Sequence, residues 1–192
     1  MVGERIGVLG GTFDPVHVGH LVAAGDARWA LHLDRVLLVV AGDPWQKRGQ
    51  VAASARDRLA LAEAAVADAD GIEASAVEVD RTGPSVTADT LEELAAPGRE
   101  FFLLLGADAV ANMPTWRRLD DTRRLASVVV IEREGEHALP PGEGWHVEHV
   151  PVPRLDISST EIRNRVANDL PITYLVPEAV VNYIAEHQLY RG

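Results

Sequence analysis

The chain has 192 residues, of which 47% are hydrophobic and 24% charged, a size and balance typical of one globular domain. Its 18 basic and 29 acidic residues give a net charge of −11, which argues against wholesale binding to nucleic acid or to an anionic membrane, because both need a broad basic face. There is no cysteine, which excludes disulfides, thiolate metal sites and cysteine nucleophiles. Every basic residue except Lys47 is arginine.

Short apolar runs alternate with helical patterns along the chain. The runs predict strands, at 5–9, 35–40, 72–79, 101–105, 127–131 and 146–152. The helical patterns predict helices between them, at 17–31, 53–67 and 87–95. Strands that are apolar throughout and separated by helices indicate a doubly wound α/β fold with a mainly parallel sheet, in which ligands bind at the carboxyl ends of the strands.

The rest of the chain predicts a loop and two C-terminal helices. The segment 134–145 contains two prolines and three glycines and reads as a loop. A helix begins near Ser158, and another, within 177–190, closes the core. No change of composition marks a boundary, so one domain spanning 1–192 is expected. The first residues resemble neither a signal peptide nor a membrane span, which predicts a cytoplasmic protein without membrane contact.

A glycine- and histidine-containing motif, GGTFDPVHVGH, follows the first strand at 10–20. Two glycines after a buried strand let backbone amides approach a phosphate, and a helix N-terminus adds partial positive charge. His17 and His20 are three residues apart, so both rings project from one side and can stabilise charge on a phosphoryl oxygen. Two alternatives to phosphate binding are open: the two histidines only cap the helix, or they form a metal site together with Asp14. No second carboxylate with ligand-like spacing lies nearby, so no metal site is predicted.

A second motif, ISSTEIR, occupies 157–163. Ser158 and Glu161 have the spacing of a capping box, which by itself indicates only a well-capped helix. The hydroxyl groups, the amides of the first turn and Arg163 would also form a cradle for a polyphosphate.

Together the two motifs resemble the signature of the nucleotidyltransferase superfamily, and specifically of bacterial nicotinate-nucleotide adenylyltransferases. The resemblance implies a Rossmann-like nucleotidyltransferase domain that transfers the adenylyl group of ATP to nicotinate mononucleotide. The products would be nicotinate adenine dinucleotide and pyrophosphate, in NAD biosynthesis. The partners of the protein would be ATP and nicotinate mononucleotide, with Mg²⁺ bound through the ATP phosphates. No nucleic acid is expected to bind. A homo-oligomer is compatible with the sequence.

The resemblance also assigns roles residue by residue. Four residues would take part in catalysis: His17, His20, Lys47 and Arg163. A larger set would bind ATP: Gly10, Gly11, Thr12, Phe13, Gly19, Ile157, Ser158, Ser159 and Thr160. A third set would bind the mononucleotide: Thr87, Gly106, Asp108, Trp116 and Arg133.

Several of these positions have other interpretations or depart from the family pattern. Lys47 lies in a loop after the second strand, where relatives carry a histidine just before the lysine and this chain has Trp45-Gln46. Val86 replaces a usual tyrosine, which leaves backbone contact through Thr87 as the expected mode of recognition. Arg58 matches a family arginine or lies on a solvated helix face.

Two residues of the mononucleotide set also have plainer interpretations. Trp116 is otherwise a packing residue, and Arg133 is otherwise a surface charge.

Other functions remain open at this level. Phosphopantetheine adenylyltransferases share both motifs, although they lack the segments around Thr87 and Trp116. Class I aminoacyl-tRNA synthetases share the HxGH element but need a much longer chain. The acceptor is therefore nicotinate mononucleotide or, alternatively, nicotinamide mononucleotide or phosphopantetheine. A non-catalytic nucleotide-binding module is the alternative from a different functional class.

Overall fold

The structure is a computed structural model that describes residues 3–47, 49–133, 135 and 141–191, with the side chain of Lys47 outside the described part. Six strands form one sheet in the order β3-β2-β1-β4-β5-β6. The strands are β1 Glu4–Gly11, β2 Arg35–Val40, β3 Ile72–Ser75, β4 Arg99–Gly106, β5 Ala126–Arg133 and β6 Val147–Val152. The pairs β1–β4, β4–β5 and β5–β6 are parallel. The central strands are buried along most of their length, as expected for a sheet covered on both faces.

Helices lie between most of the strands and follow the last one. They are α1 Val18–Ala30, α2 Ala55–Val66, α3 Val77–Asp80, α4 Thr87–Leu94, α5 Ala107–Asn112, α6 Leu119–Leu125, α7 Ser159–Ala167 and α8 Glu178–Glu186. Two short 3-10 segments cover Trp45–Lys47 and Met113–Thr115. The predicted α/β fold with a doubly wound, parallel sheet and C-terminal helices is confirmed.

The chain divides into two compact units. The first unit comprises Met1–Gly10, Ala23–Leu37 and Val86–Arg154. The second unit comprises Gly11–Val22, Leu38–Ser85 and Leu155–Gly192. Both motifs lie in the second unit apart from Gly10, and all five residues assigned to the mononucleotide lie in the first. One nucleotidyltransferase domain over 1–192 stays a prediction.

The predicted strand at 72–79 is wrong in its second half. β3 ends at Ser75, and Val77–Asp80 is helical, although valine and acidic residues alternate there with the period of a strand. The backbone of Gly42 packs against this turn, and a Cβ atom on Gly42 would lie 2.1 Å from the carbonyl oxygen of Glu78. A tertiary contact of this kind overrides the local preference for extended structure.

Helix α6 is absent from the sequence-based prediction, and the predicted loop at 134–145 is only partly described by the structure. The pattern did not predict α6, because Leu119 and Leu125 at its ends are its only large apolar residues. In the predicted loop, residue 135 and residues 141–145 are neither helix nor strand, and residues 134 and 136–140 lie outside the described part. No helix among the described residues is long and apolar enough to cross a membrane.

Gly42→Ala is expected to lower the free energy of unfolding by about 1–3 kcal/mol, because the new methyl group would push against the backbone of α3. Urea unfolding followed by circular dichroism measures this change. Gly25→Ala in α1 is the matched control, since its Cβ has no atom within 4 Å. That substitution should stabilise the helix by up to about 1 kcal/mol. Equal free energies of unfolding for the Gly42 and Gly25 variants would contradict the contact between Gly42 and Glu78.

Candidate active site

The residues between β1 and α1 form a buried turn. Phe13, Asp14, Val16 and His17 are each less than 9% exposed, which is unusual for a loop. The Phe13 ring folds back over Gly11, so a Cβ atom on Gly11 would lie 2.9 Å from that ring. The glycine is therefore needed for the turn to close as it does.

The two histidines of the motif lie side by side at the start of α1. Their ring centroids are 3.7 Å apart and the ring planes differ by 27°. A Cβ atom on Gly19 would lie 3.1 Å from Nδ1 of His17, which explains a glycine between the histidines. The three-residue spacing thus brings the rings together as expected. The Phe13 and His20 ring centroids are 5.0 Å apart, with the ring planes at 79°.

His20 also caps its helix. Its Nδ1 accepts a hydrogen bond from the backbone N–H of His17 at 3.2 Å, which is one half of a capping box with His20 in the third helical position. Because Nδ1 accepts, the proton of the neutral ring is on Nε2. The capping interpretation and the charge-stabilising interpretation are therefore compatible, since the first fixes the tautomer that the second requires.

The carboxylate of Asp14 joins several segments of the second unit. It is 2% exposed and accepts hydrogen bonds from the backbone N–H groups of Ala52 and Ala53, at 2.7 and 3.1 Å. The hydroxyl of Tyr190 donates to Oδ1 at 2.8 Å, and Arg163 Nη1 lies 3.8 Å from Oδ2. Each of the two oxygens thus faces two donor groups, as a buried carboxylate requires.

Arg58 points into the protein rather than into solvent. It is 1% exposed and donates to the carbonyl oxygens of Thr12 at 2.7 Å and Ala53 at 3.4 Å. Burial lowers the pKa of the Arg58 guanidinium, and the negative charge of Asp14 opposes that shift. The interpretation of Arg58 as part of a solvated helix face is wrong, because α2 presents this side chain to the turn after β1.

Helix α7 is fastened to the same turn. Arg163 Nη1 donates to the carbonyl oxygen of Asp14 at 2.8 Å, and Ser159 Oγ donates to that of Pro15 at 2.8 Å. Ser158 Oγ accepts from the backbone N–H of Glu161 at 3.1 Å, which confirms Ser158 as the N-cap expected from the capping-box spacing. The Ser158 hydroxyl hydrogen can still donate to a ligand, as can the first-turn amides and the remaining N–H groups of Arg163.

The other residues assigned to ATP lie around these contacts. Gly10 is exposed at the end of β1, and its Cβ direction is open for at least 4 Å. Ile157 donates its backbone N–H to Leu155, and Thr160 Oγ1 accepts from Arg163 at 3.3 Å. Lys47 ends a 3-10 turn. Its side chain, which is predicted to contact the phosphates, lies outside the described part of the structure.

The residues assigned to the mononucleotide lie in the first unit. Gly106 pairs with Ile131 on the neighbouring strand, so Gly106 and Arg133 both lie at the carboxyl ends of parallel strands. Both are exposed, as is Asp108 in the first turn of α5. These placements agree with the rule that ligands bind at this edge of the sheet.

The remaining two mononucleotide residues lie at helix ends. Thr87 is the first residue of α4, and the preceding Val86 is 6% exposed, so its side chain belongs to the core. Trp116 is half-buried and follows the second 3-10 segment as its C-cap, where its backbone N–H donates to the Met113 carbonyl oxygen. Among the described residues, no group of three or more His, Asp or Glu side chains is placed to hold a metal ion.

Comparisons with known proteins agree with these features. The family model described as cytidylyltransferase-like matches residues 8–165. A relative from Roseiflexus sp. (strain RS-1), "Probable nicotinate-nucleotide adenylyltransferase", is 47% identical, with 100% of each chain covered. A protein of the same name from Saccharopolyspora erythraea is 44% identical over 98% of this chain and 91% of its own length. The chain belongs to the nicotinate-nucleotide adenylyltransferase family.

Solved structures support the same fold. A Plasmodium falciparum nicotinic acid mononucleotide adenylyltransferase complexed with NaAD has a TM-score of 0.79 and 18% identity, over 97% of both chains. The same enzyme complexed with APC has a TM-score of 0.76 and 19% identity, again over 97% of both chains. The family membership and the nucleotidyltransferase class inferred from the two motifs are confirmed, and the roles of individual residues stay predictions.

Sequence reasoning did not find the contacts of Asp14. The motif presented Asp14 as a candidate metal ligand, whereas the structure uses it to hold backbone amides, Tyr190 and Arg163. Backbone amides carry no sequence signal. An aspartate between an apolar residue and a proline, immediately after a buried strand, was the one indication that this carboxylate is buried.

Asp14→Asn is expected to lower the free energy of unfolding by about 2–4 kcal/mol. The amide keeps the shape of the side chain but turns one acceptor into a donor and removes the charge that faces Arg163 and Arg58. Urea unfolding measures the loss. Asp68→Asn, at an exposed carboxylate, is the control and should change the stability by less than about 0.5 kcal/mol. A loss no larger than that of the control would show that Asp14 does not organise the turn.

Proposed function

We propose that this protein transfers the adenylyl group of ATP to nicotinate mononucleotide, giving nicotinate adenine dinucleotide and pyrophosphate. The observation that carries this proposal is the match to relatives of that name, at 44–47% identity over almost the whole chain. The relation between the motifs supports it, because α7 with Arg163 and the histidine-bearing turn are joined through Asp14 and Pro15.

The reaction needs alignment and charge stabilisation more than acid–base chemistry. A phosphate oxygen of the mononucleotide attacks the α-phosphorus of ATP, a new P–O bond forms, and the bond to the bridging oxygen of pyrophosphate breaks. The nucleophile is already an anion, so no proton has to be removed from it and no covalent enzyme intermediate is needed. The protein lowers the barrier by stabilising the negative charge on the phosphoryl oxygens.

The geometry of the second unit suits this task. His20 carries its ring proton on Nε2 and thus presents an N–H donor at the start of α1, with the ring of His17 stacked on it. Arg163 and the N-terminus of α7 would hold the triphosphate tail, which gathers charge as pyrophosphate leaves. We also assign Gly10, Gly11 and the adjacent turn to the ATP phosphates, because glycines after a buried strand let backbone amides approach a phosphate.

The acceptor would bind at the carboxyl ends of β4 and β5. In this proposal Asp108 binds a ribose hydroxyl, Trp116 stacks on the pyridine ring, and Arg133 lies near the mononucleotide phosphate. The backbone at Thr87 receives the nicotinate carboxylate, because Val86 is buried and offers no aromatic wall.

A mobile ammonium and a divalent cation would complete the charge balance. Lys47 is proposed to contact the phosphates during transfer, where a compact charge on a flexible stem is suitable. Mg²⁺ is proposed to enter with the triphosphate, held by phosphate oxygens and water, as its preference for such ligands suggests. The cytoplasmic location and the homo-oligomer remain predictions from the sequence.

An assay of pyrophosphate release with ATP, Mg²⁺ and a panel of acceptors tests the function. We expect turnover with nicotinate mononucleotide and a lower kcat/KM with nicotinamide mononucleotide and phosphopantetheine. Preferential turnover with phosphopantetheine would overturn the assigned acceptor. Absence of turnover with all three, for a folded protein, would instead indicate a non-catalytic nucleotide-binding module.

His20→Ala is expected to reduce kcat roughly 100- to 1000-fold, because it removes a donor to the charge that develops on the phosphoryl group. Steady-state kinetics with saturating nicotinate mononucleotide measures the effect, and thermal unfolding shows whether loss of the helix cap contributes. His32→Ala, well outside the motif, is the matched control and should turn over like the parent. Parental turnover of the His20 variant would refute the role given to this histidine.

A further inference from the structure

Tyr190 contacts the N-terminal motif from a position after the last helix. Its hydroxyl donates to Oδ1 of Asp14 at 2.8 Å, across a separation of 176 residues. Burial, and then the negative charge of Asp14, raise the pKa of the Tyr190 hydroxyl. The phenol therefore keeps its proton and acts as a donor throughout the physiological pH range.

The backbone of Tyr190 shows that this contact is held against a local preference. Its φ angle is 65°, in the left-handed region that a residue with a Cβ atom rarely occupies. Such conformations persist where the surrounding contacts determine them. The hydrogen bond to a buried carboxylate is a contact of that kind.

Asp14 in turn holds the groups assigned to the ATP phosphates. Its carboxylate binds the amides of Ala52 and Ala53, which end the loop that begins at Gly42 and carries Lys47. The same carboxylate lies 3.8 Å from Nη1 of Arg163, whose guanidinium also binds the Asp14 carbonyl oxygen. A change in the orientation of this carboxylate would move both the loop and the arginine.

We propose that Tyr190 is a positioning residue for the triphosphate of ATP. It contacts no substrate, and it acts by fixing the Asp14 carboxylate, which sets the orientation of Arg163 and the end of the Lys47 loop. This proposal rests on the proposed function, because it takes Arg163 and Lys47 as ligands of the phosphates. It also specifies which substrate is affected, since no residue assigned to the mononucleotide belongs to this set of contacts.

Tyr183 provides a matched control on the same part of the chain. It lies in α8, and its hydroxyl donates to Oδ1 of Asp57 at 3.2 Å. Asp57 belongs to the capped first turn of α2, where its N–H and carboxylate interact with Ser54. Tyr183→Phe thus removes one tyrosine–aspartate hydrogen bond without disturbing Asp14.

The experiment compares Tyr190→Phe with Tyr183→Phe in the full chain. We expect Tyr190→Phe to lower kcat/KM for ATP about 5- to 20-fold while KM for nicotinate mononucleotide stays within twofold of the parent. Tyr183→Phe should leave both of these kinetic parameters within twofold of the parent. Thermal midpoints are measured for each, and kinetics are recorded well below them, so that a loss of stability alone does not change the ATP parameters.

A double-variant measurement tests the route through Asp14. If Tyr190 acts on ATP only through this carboxylate, adding Tyr190→Phe to Asp14→Asn should change kcat/KM for ATP by less than twofold. Additive losses in the double variant would overturn that route. Equal losses for both substrates, or equal ATP parameters for Tyr190→Phe and Tyr183→Phe, would overturn the proposal itself.

A measurement of ATP binding alone distinguishes a failure of this proposal from a failure of the proposed function. Equilibrium dialysis with Mg²⁺ and ATP alone measures Kd without an acceptor. A parent protein that binds ATP but uses none of the acceptors would contradict the proposed function. In that case a 5- to 20-fold weaker Kd for Tyr190→Phe would still support the positioning role, and an unchanged Kd would refute it.

Discussion

The second unit is organised around one buried negative charge. A carboxylate removed from water is stable only if donors and positive charge replace its hydration. Asp14 obtains two backbone amides, a phenol and the nearby guanidinium of Arg163, while the buried Arg58 binds the carbonyl oxygen of Thr12 in the same turn. These donors come from three different parts of the chain. The requirement to compensate one charge therefore holds the turn after β1, the loop before α2, helix α7 and the segment after α8 in a fixed relation.

In the proposed function, residues of the two motifs have a structural and a catalytic role at once. His20 accepts the backbone N–H of His17 with one ring nitrogen and thereby places its proton on the other. Ser158 caps α7 through an accepted hydrogen bond and keeps its own hydrogen for a ligand. A group that is already held by its helix loses little further freedom when a phosphate binds. The helix caps would therefore suit these residues to the phosphate contacts proposed for them.

The sequence predicted most of the strands, because β2, β4 and β5 are continuous apolar runs that few other structures would bury. It also predicted the Ser158 cap and the adjacent placement of His17 and His20, which depend on local spacing alone. It did not predict the inward direction of Arg58 or the partners of Asp14, since these depend on backbone atoms and on residues distant along the chain. The helical turn at Val77–Asp80 was also missed, and its contact with the backbone of Gly42 carries no sequence signal.

The bond between Asp14 and Tyr190 also affects how the protein is completed during synthesis. Asp14 leaves the ribosome long before Tyr190 is translated, so the growing chain carries this carboxylate for most of its synthesis without its phenolic partner. Closing so long a loop is entropically costly and comes late relative to local contacts. The proposed ATP site therefore reaches its final geometry only after α8 has been made, and a nascent chain shorter than that carries both motifs without the complete set of contacts that align them.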